Sequence, residues 1–193
     1  MRTKTKALVL ALCAVLLVVT TVFVTMAFLT SEDSVQNTFT VGEVTISLDE
    51  LDVDDSDNDG STTDRDKANE YKLIPGKTYT KDPTIHVGAN SEDCYLFVKV
   101  ENGLVNAEAD GNTTIAAQMT ANGWSLVDGK TNIYVYNQIV SKNTDVVVFR
   151  NFTIDGETVV ADFKDAKINV TAYAIQAEGF DENTATADIW AKF

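Results

Sequence analysis

Phe39-Thr40-Val41-Gly42-Glu43-Val44-Thr45-Ile46-Ser47-Leu48 is the stretch that decides the fold class. Phe39, Val41, Val44, Ile46 and Leu48 alternate with Thr and Ser, and a period of two sends successive side chains to opposite faces of a strand. Gly42 interrupts the alternation and marks a candidate bulge. Further runs rich in Val, Ile, Thr, Tyr and Phe cover residues 77–87, 94–100, 132–140, 145–152, 158–163 and 167–177. Asn102-Gly103, Asp128-Gly129 and Asp155-Gly156 punctuate them, and Asp155-Gly156, set between two apolar runs, is the strongest hairpin signal. Residues 113–121, closed by Asn122-Gly123, and a short tail over 182–191 read as helix. Short strands separated by turn signals predict an all-β fold: a jelly-roll-like antiparallel β-sandwich with one or two short helices, after an N-terminal signal helix. No period of repeat length stands out, which excludes a solenoid.

Charge and composition narrow the function classes. The 193 residues hold 15 Lys+Arg against 29 Asp+Glu, a formal charge of −14. Nucleic-acid binders need a basic face to neutralise phosphates, so nucleic acid is not expected as a partner. An apolar fraction of 45% is too high for wholesale disorder. The single histidine, His86, leaves little scope for a His-rich zinc site or His-based acid–base chemistry. It alternates with Ile85 and Val87 and is expected to face solvent from a strand. Neither a zinc-protease motif, a nucleophile elbow nor a phosphate-cradling Gly loop is present. Trp124 and Trp190 are expected to pack against the sheets.

The N-terminus reads as an export signal. Arg2, Lys4 and Lys6 precede an apolar stretch from Ala7 to about Leu29. Thr25-Met26-Ala27 has the small-x-small shape a signal peptidase reads, which puts cleavage at Met26, Ala27 and Phe28 and makes residues 1–27 a signal peptide. An uncleaved membrane anchor is the alternative, since about twenty apolar residues also span a bilayer. Removing 1–27 takes away three positive charges and leaves −17. It also takes Cys13, so Cys94 stands alone and is expected to be a small core residue.

Residues 42–193 are expected to form the sandwich, with an acidic loop over 49–70. Between Asp49 and Asp66 there are nine acids and one Arg. Within the loop, Asp55-Ser56-Asp57-Asn58-Asp59-Gly60 matches the start of a calcium loop, with Asp66 at its twelfth position. The candidate ligands are Asp55, Asp57, Asp59, Asp66 and the Ser61 carbonyl. A plain solvated acidic loop is the competing reading.

Residues 28–41 form a candidate donor strand. The segment lacks Pro, so every amide can join a ladder. Val35, Asn37, Phe39 and Val41 share one face, and Gln36, Thr38 and Thr40 share the other. Such a segment can add to a gap in a neighbour's sheet, with main-chain bonds giving affinity and alternate side chains register. Pairing within its own domain is the alternative.

Thr25-Met26-Ala27-Phe28-Leu29-Thr30 followed by Asn37-Thr38-Phe39-Thr40-Val41-Gly42-Glu43-Val44 resembles the processing region of the TasA/camelysin family, exported proteins of Gram-positive bacteria cleaved by the SipW-type signal peptidase. Leu73-Ile74-Pro75-Gly76-Lys77 with Lys81-Asp82-Pro83-Thr84, Ser91-Glu92-Asp93-Cys94-Tyr95, Asn122-Gly123-Trp124 and Ile168-Asn169-Val170-Thr171-Ala172-Tyr173-Ala174 are similar to members of the same group. The resemblance implies a jelly-roll subunit, secreted to the cell surface or extracellular matrix, that polymerises with itself or with other biofilm-matrix fibre proteins. It touches the membrane only before cleavage. Some members carry a metalloendopeptidase label, which a chain with one His does not support with ligands. A monomeric surface adhesin or calcium-dependent binding module is the other alternative. The Asp-rich insertion departs from the family pattern.

Overall fold

Residues 94–102 and 168–176 carry long apolar alternations, and in the computed structural model they form a nine-residue antiparallel ladder. β5 (Cys94–Asn102) pairs with β10 (Ile168–Gln176) from Ile168 opposite Asn102 to Gln176 opposite Cys94. The structure describes residues 3–29, 42–54, 64–181 and 183–193, with side chains of 20–29 outside the description. The chain divides into two units, Met1–Thr40 and Val41–Phe193.

In the first unit, Thr3–Leu29 is one helix, α1. Its described side chains, residues 3–19, are all exposed. Among the described residues, no helix is long and apolar enough to cross a membrane.

The second unit is an antiparallel β-sandwich. One sheet has the order β2-β1-β4-β8, built from β2 (Arg65–Asp66), β1 (Ile46–Leu51), β4 (Thr84–Val87) and β8 (Asp145–Val147). The other has the order β10-β5-β7-β6, with β7 (Ile133–Tyr136) and β6 (Trp124–Leu126). A pair, β3 (Thr78–Thr80) with β9 (Asn151–Thr153), flanks them. The inner faces meet in a core that includes Ile85, Val87, Leu96, Val98, Trp124, Val146 and Phe152. Trp124 is fully buried and its Nε1–H donates to the Val147 carbonyl at 3.0 Å, so its one polar atom is satisfied. Cys94 is fully buried in this core, as expected, and burial with nearby Asp93 pushes its thiol pKa up to about 11. The thiolate is therefore scarce at neutral pH.

The outer face of the second sheet is covered by the C-terminal tail. α3 (Thr186–Trp190) packs with Phe97, Val127, Ile133 and Val135 through Ile189. Trp190 sits 5.0 Å edge-on to Tyr173 of β10, and Phe193 lies 5.8 Å from Phe97 between ring centroids. α2 (Ile115–Ala121) starts where Thr114 accepts from the Ala117 amide and stops at Asn122-Gly123.

Several expectations need correction. The run 77–87 is two strands in different sheets, because Pro83 has no amide to donate and breaks the ladder. The run 145–152 likewise divides into β8 and β9. Residues 158–163 are not a strand; Val160–Phe163 is a 3₁₀-helix. Asp155-Gly156 is not a hairpin loop: the Asp155 carboxylate accepts from the Glu157 amide at 2.8 Å, and this side-chain turn redirects the chain into that helix. Gly42 lies ahead of β1 rather than in a bulge, since the strand starts at Ile46. The acidic stretch is not a wholly solvated loop. Asp49–Leu51 belong to β1, Glu50 and Asp52 are buried, and β2 returns against β1 with Glu50 opposite Asp66 and Leu51 opposite Arg65.

Candidate functional site

The most distinctive feature of the second unit is an open edge. Among the described residues, β10 pairs only with β5, and residues 46–49 of β1 pair only with β4. Between the two unpaired edges lies a groove of about 760 Å³, lined by Ile46, Leu48 and Glu50 on one side and Ile168, Val170 and Ala172 on the other. The alternation of β1 and β10 puts these apolar side chains on the inner faces. Among the described residues, the facing edges therefore carry main-chain groups with no strand partner beside a partly apolar lining, the condition under which an edge templates another strand.

The direction of the groove follows from its ends. At one end a Cβ added to Gly42 would stand 2.9 Å from Gln176 Oε1, so the entry to β1 abuts the end of β10. At the other, Glu50 and Ile168 line a second cavity of about 900 Å³, together with Tyr71, Leu73, Phe152 and Phe163. β1 and β10 thus run in opposite directions across the groove. β2 closes the slot on β1 beyond Asp49, because Glu50 and Leu51 are already paired with it.

A buried ion pair sits where the two cavities join. Lys81 Nζ donates to Glu50 Oε2 at 2.5 Å, and Asn69 Nδ2 donates to Glu50 Oε1 at 3.0 Å. Both charged side chains line both cavities. Inward-pointing charge beside an exposed edge restrains indiscriminate strand pairing.

The opposite flank of the same sheet carries a charged lattice. Asp49 Oδ1 accepts from Arg65 Nε and lies 2.9 Å from His86 Nε2, while His86 Nδ1 lies 2.6 Å from Asp145 Oδ1. Arg65 Nη1 also donates to Asp82 Oδ2 at 3.1 Å, and Asp82 Oδ1 accepts from the Leu51 amide at 2.7 Å. With a carboxylate on each ring nitrogen, the imidazolium is the form of His86 that donates to both. Burial lowers the His86 pKa, but the bonds to Asp49 and Asp145 outweigh it and hold the pKa above its ordinary value. His86 does leave the strand toward solvent, as its alternation implies, but between two acids.

The residues singled out from the sequence fall as follows. Met26, Ala27 and Phe28 lie in the last turn of α1, and their side chains are outside the described residues. Val35, Asn37, Phe39 and Val41 are outside the described residues, as are Asp55, Asp57, Asp59 and Ser61. Asp66 is the one described member of the candidate calcium set. It stands in β2, its Oδ1 accepting from the Lys67 amide at 2.5 Å. Among the described residues, no group of three or more His, Cys, Asp or Glu side chains is placed to hold a metal ion.

Sequence reasoning missed the Glu50–Lys81 pair. The signal was available: Glu50 continues the inward row of Ile46 and Leu48, and a charge at a core position demands a partner. The open edge had no such signal, because strand order joins residues far apart in the chain. Comparison with known proteins finds no matching family model, no matching curated protein and no matching solved structure.

Proposed function

We propose that this protein is a secreted structural subunit of extracellular or biofilm-matrix fibres, assembling by β-strand donation once residues 1–27 are removed. The observation that carries this reading is the open groove between β1 and β10. Its occupant is residues 28–41 of a neighbouring copy, a Pro-free segment with the alternation of a half-buried strand. While residues 1–27 remain attached, the segment is tethered at the membrane. Cleavage at Ala27 by a SipW-type signal peptidase frees it, which couples export to polymerisation without any chemistry in the subunit. The TasA/camelysin resemblance supports the same reading, and the partners it implies are further copies of this chain or other matrix fibre proteins. No enzymatic activity is part of the proposal.

The test starts from the chain with residues 1–27 removed, which keeps the compact unit Val41–Phe193 whole. Sedimentation and negative-stain imaging should show fibres. Deleting residues 28–37 should leave a folded monomer. Polymerisation of the deleted chain at the same concentration would falsify strand donation by this segment. N-terminal sequencing of secreted material should begin within one residue of Ala27; a start at Met1 would support a retained anchor.

A further inference from the structure

We propose that Lys81 and Asn69 join in an isopeptide bond, with Glu50 carrying protons between them. The bond is a covalent modification of the chain by its own side chains and does not depend on fibre assembly. Amide formation between two side chains needs an amine, a carbonyl group to receive it, and an acid–base group that touches both. All three meet where β1 ends. Glu50 stands in β1, Asn69 follows β2, and Lys81 follows β3. Lys81 Nζ lies 2.5 Å from Glu50 Oε2, and Asn69 Nδ2 donates to Glu50 Oε1 at 3.0 Å. The two oxygens of one carboxylate thus hold the nucleophile and the leaving nitrogen side by side.

Asn69 is held as an electrophile must be. Its Nδ2 also donates to the Leu51 carbonyl at 3.0 Å, and its Oδ1 accepts from the Val53 amide at 2.8 Å. All of these partners belong to residues 50–53, so the carboxamide cannot turn away without losing every bond. When an amine adds to the side-chain carbonyl, negative charge gathers on Oδ1, and the Val53 N–H already points at that oxygen. Glu50 and Lys81 are both buried. Moving one proton along their contact exchanges a desolvated ion pair for a neutral amine and a neutral acid. Holding the reactants in one folded site replaces a bimolecular encounter.

The steps balance without a co-reactant. Glu50 takes a proton from the Lys81 ammonium, and the freed amine attacks Asn69 Cγ. The Nζ–Cγ bond forms, and the tetrahedral carbon places its oxygen against the Val53 amide. Glu50 then gives its proton to Nδ2 and accepts another from Nζ. The Cγ–Nδ2 bond breaks, and the departing ammonia takes the last proton from Glu50. One ammonium and one carboxamide become one secondary amide and an ammonium ion, with no change of oxidation state. The second cavity, lined by Glu50, Asn69 and Lys81 and rimmed by the exposed Lys67 and Glu70, gives that ion its way out. The ion pair described above is the state before linkage.

Mass spectrometry of the purified full chain tests the bond. On incubation at neutral pH the chain should become lighter than its sequence by one ammonia. Trypsin should then release residues 68–72 joined to residues 78–99, because acylated Lys81 is no longer cleaved; the unlinked chain gives 68–72, 78–81 and 82–99 separately. A chain that keeps its full mass after prolonged incubation overturns the proposal. So does a loss of ammonia without the branched peptide, which assigns the loss to the Asn102-Gly103 or Asn122-Gly123 backbone. Lys81→Arg keeps the charge but not the attacking amine and should hold the full mass; a loss that survives it overturns the assignment to Lys81. Glu50→Gln keeps the shape but cannot take the proton and should slow linkage about a hundredfold; an unchanged rate overturns the role given to Glu50. The spectra of the unsubstituted chain decide the bond whether or not either variant folds.

Discussion

Replacing Lys81 by Met removes one member of the buried pair and keeps most of the side-chain volume. Glu50 is 5% exposed, and its two carboxylate oxygens accept from Lys81 and Asn69. Breaking a buried pair by deleting one partner costs about 3–5 kcal/mol, because the remaining charge stays desolvated. Asn69 still holds one oxygen, which places Lys81→Met near the lower end, ~3 kcal/mol. For a domain of this size ~1 kcal/mol moves Tm by about 2–4 °C, so the variant should melt about 6–12 °C lower. Replacing both members, Glu50→Leu with Lys81→Met, removes the stranded charge and should return stability to within about 1 kcal/mol of the starting protein. Urea denaturation of the monomeric chain lacking residues 28–37 reads both values without interference from assembly. If the single variant loses under about 1 kcal/mol, or if the double variant is as unstable as the single one, the pair is not buried as described.

Stability should also follow pH through the His86 lattice. The folded pKa of His86 is raised, so its contribution is complete below the ordinary value of about 6.5 and is lost as pH rises through the folded value. For Asp49, burial raises the pKa but the bonds from Arg65 and His86 outweigh it and leave it lowered; its contribution is lost as pH falls through that lowered value. Tm should therefore fall between pH 6 and pH 9, and His86→Gln should flatten that limb; a His86→Gln profile parallel to the parent contradicts the assignment. Trp124→Ala should cost about 3–5 kcal/mol from the cavity it leaves, measured by denaturation, with a loss under about 1 kcal/mol arguing against its place in the core. If the acidic loop binds calcium, millimolar calcium should raise Tm, and Asp57→Ala with Asp59→Ala should abolish the rise. No rise in the parent protein dismisses the site.

What could be read from the sequence depended on how far each feature reaches along the chain. β5 and β10 were legible because nine-residue alternations leave little choice of structure. α2 was legible from the run that the Asn122-Gly123 stop closes. Shorter elements followed tertiary demands instead. β6 and β2 have three and two residues, too few for a period to register. Residues 158–163 have the composition of a strand, yet the Asp155 side-chain turn delivers them as a 3₁₀-helix. The donor pattern was visible as an alternation, whereas the groove was not. The groove lies where β10 pairs with β5, more than sixty residues earlier, and its other edge has no strand partner among the described residues. Similarly, His86 was placed correctly on a strand face, but its two acids arrive from β1 and from β8.

The aromatic seam under the C-terminal tail gives the molecule its own optical gauge. The chain has two tryptophans, and only Trp190 leans on Tyr173, on the back of the strand whose free edge borders the groove. In a chain carrying Trp124→Phe, all indole emission would come from Trp190. A strand docking on the free edge of β10 would stiffen the sheet beneath that ring, and fluorescence anisotropy would follow it without an attached dye. For the same reason a tag fused after Phe193 would pull on the gauge itself, so labels belong at the exposed turn around Gly129.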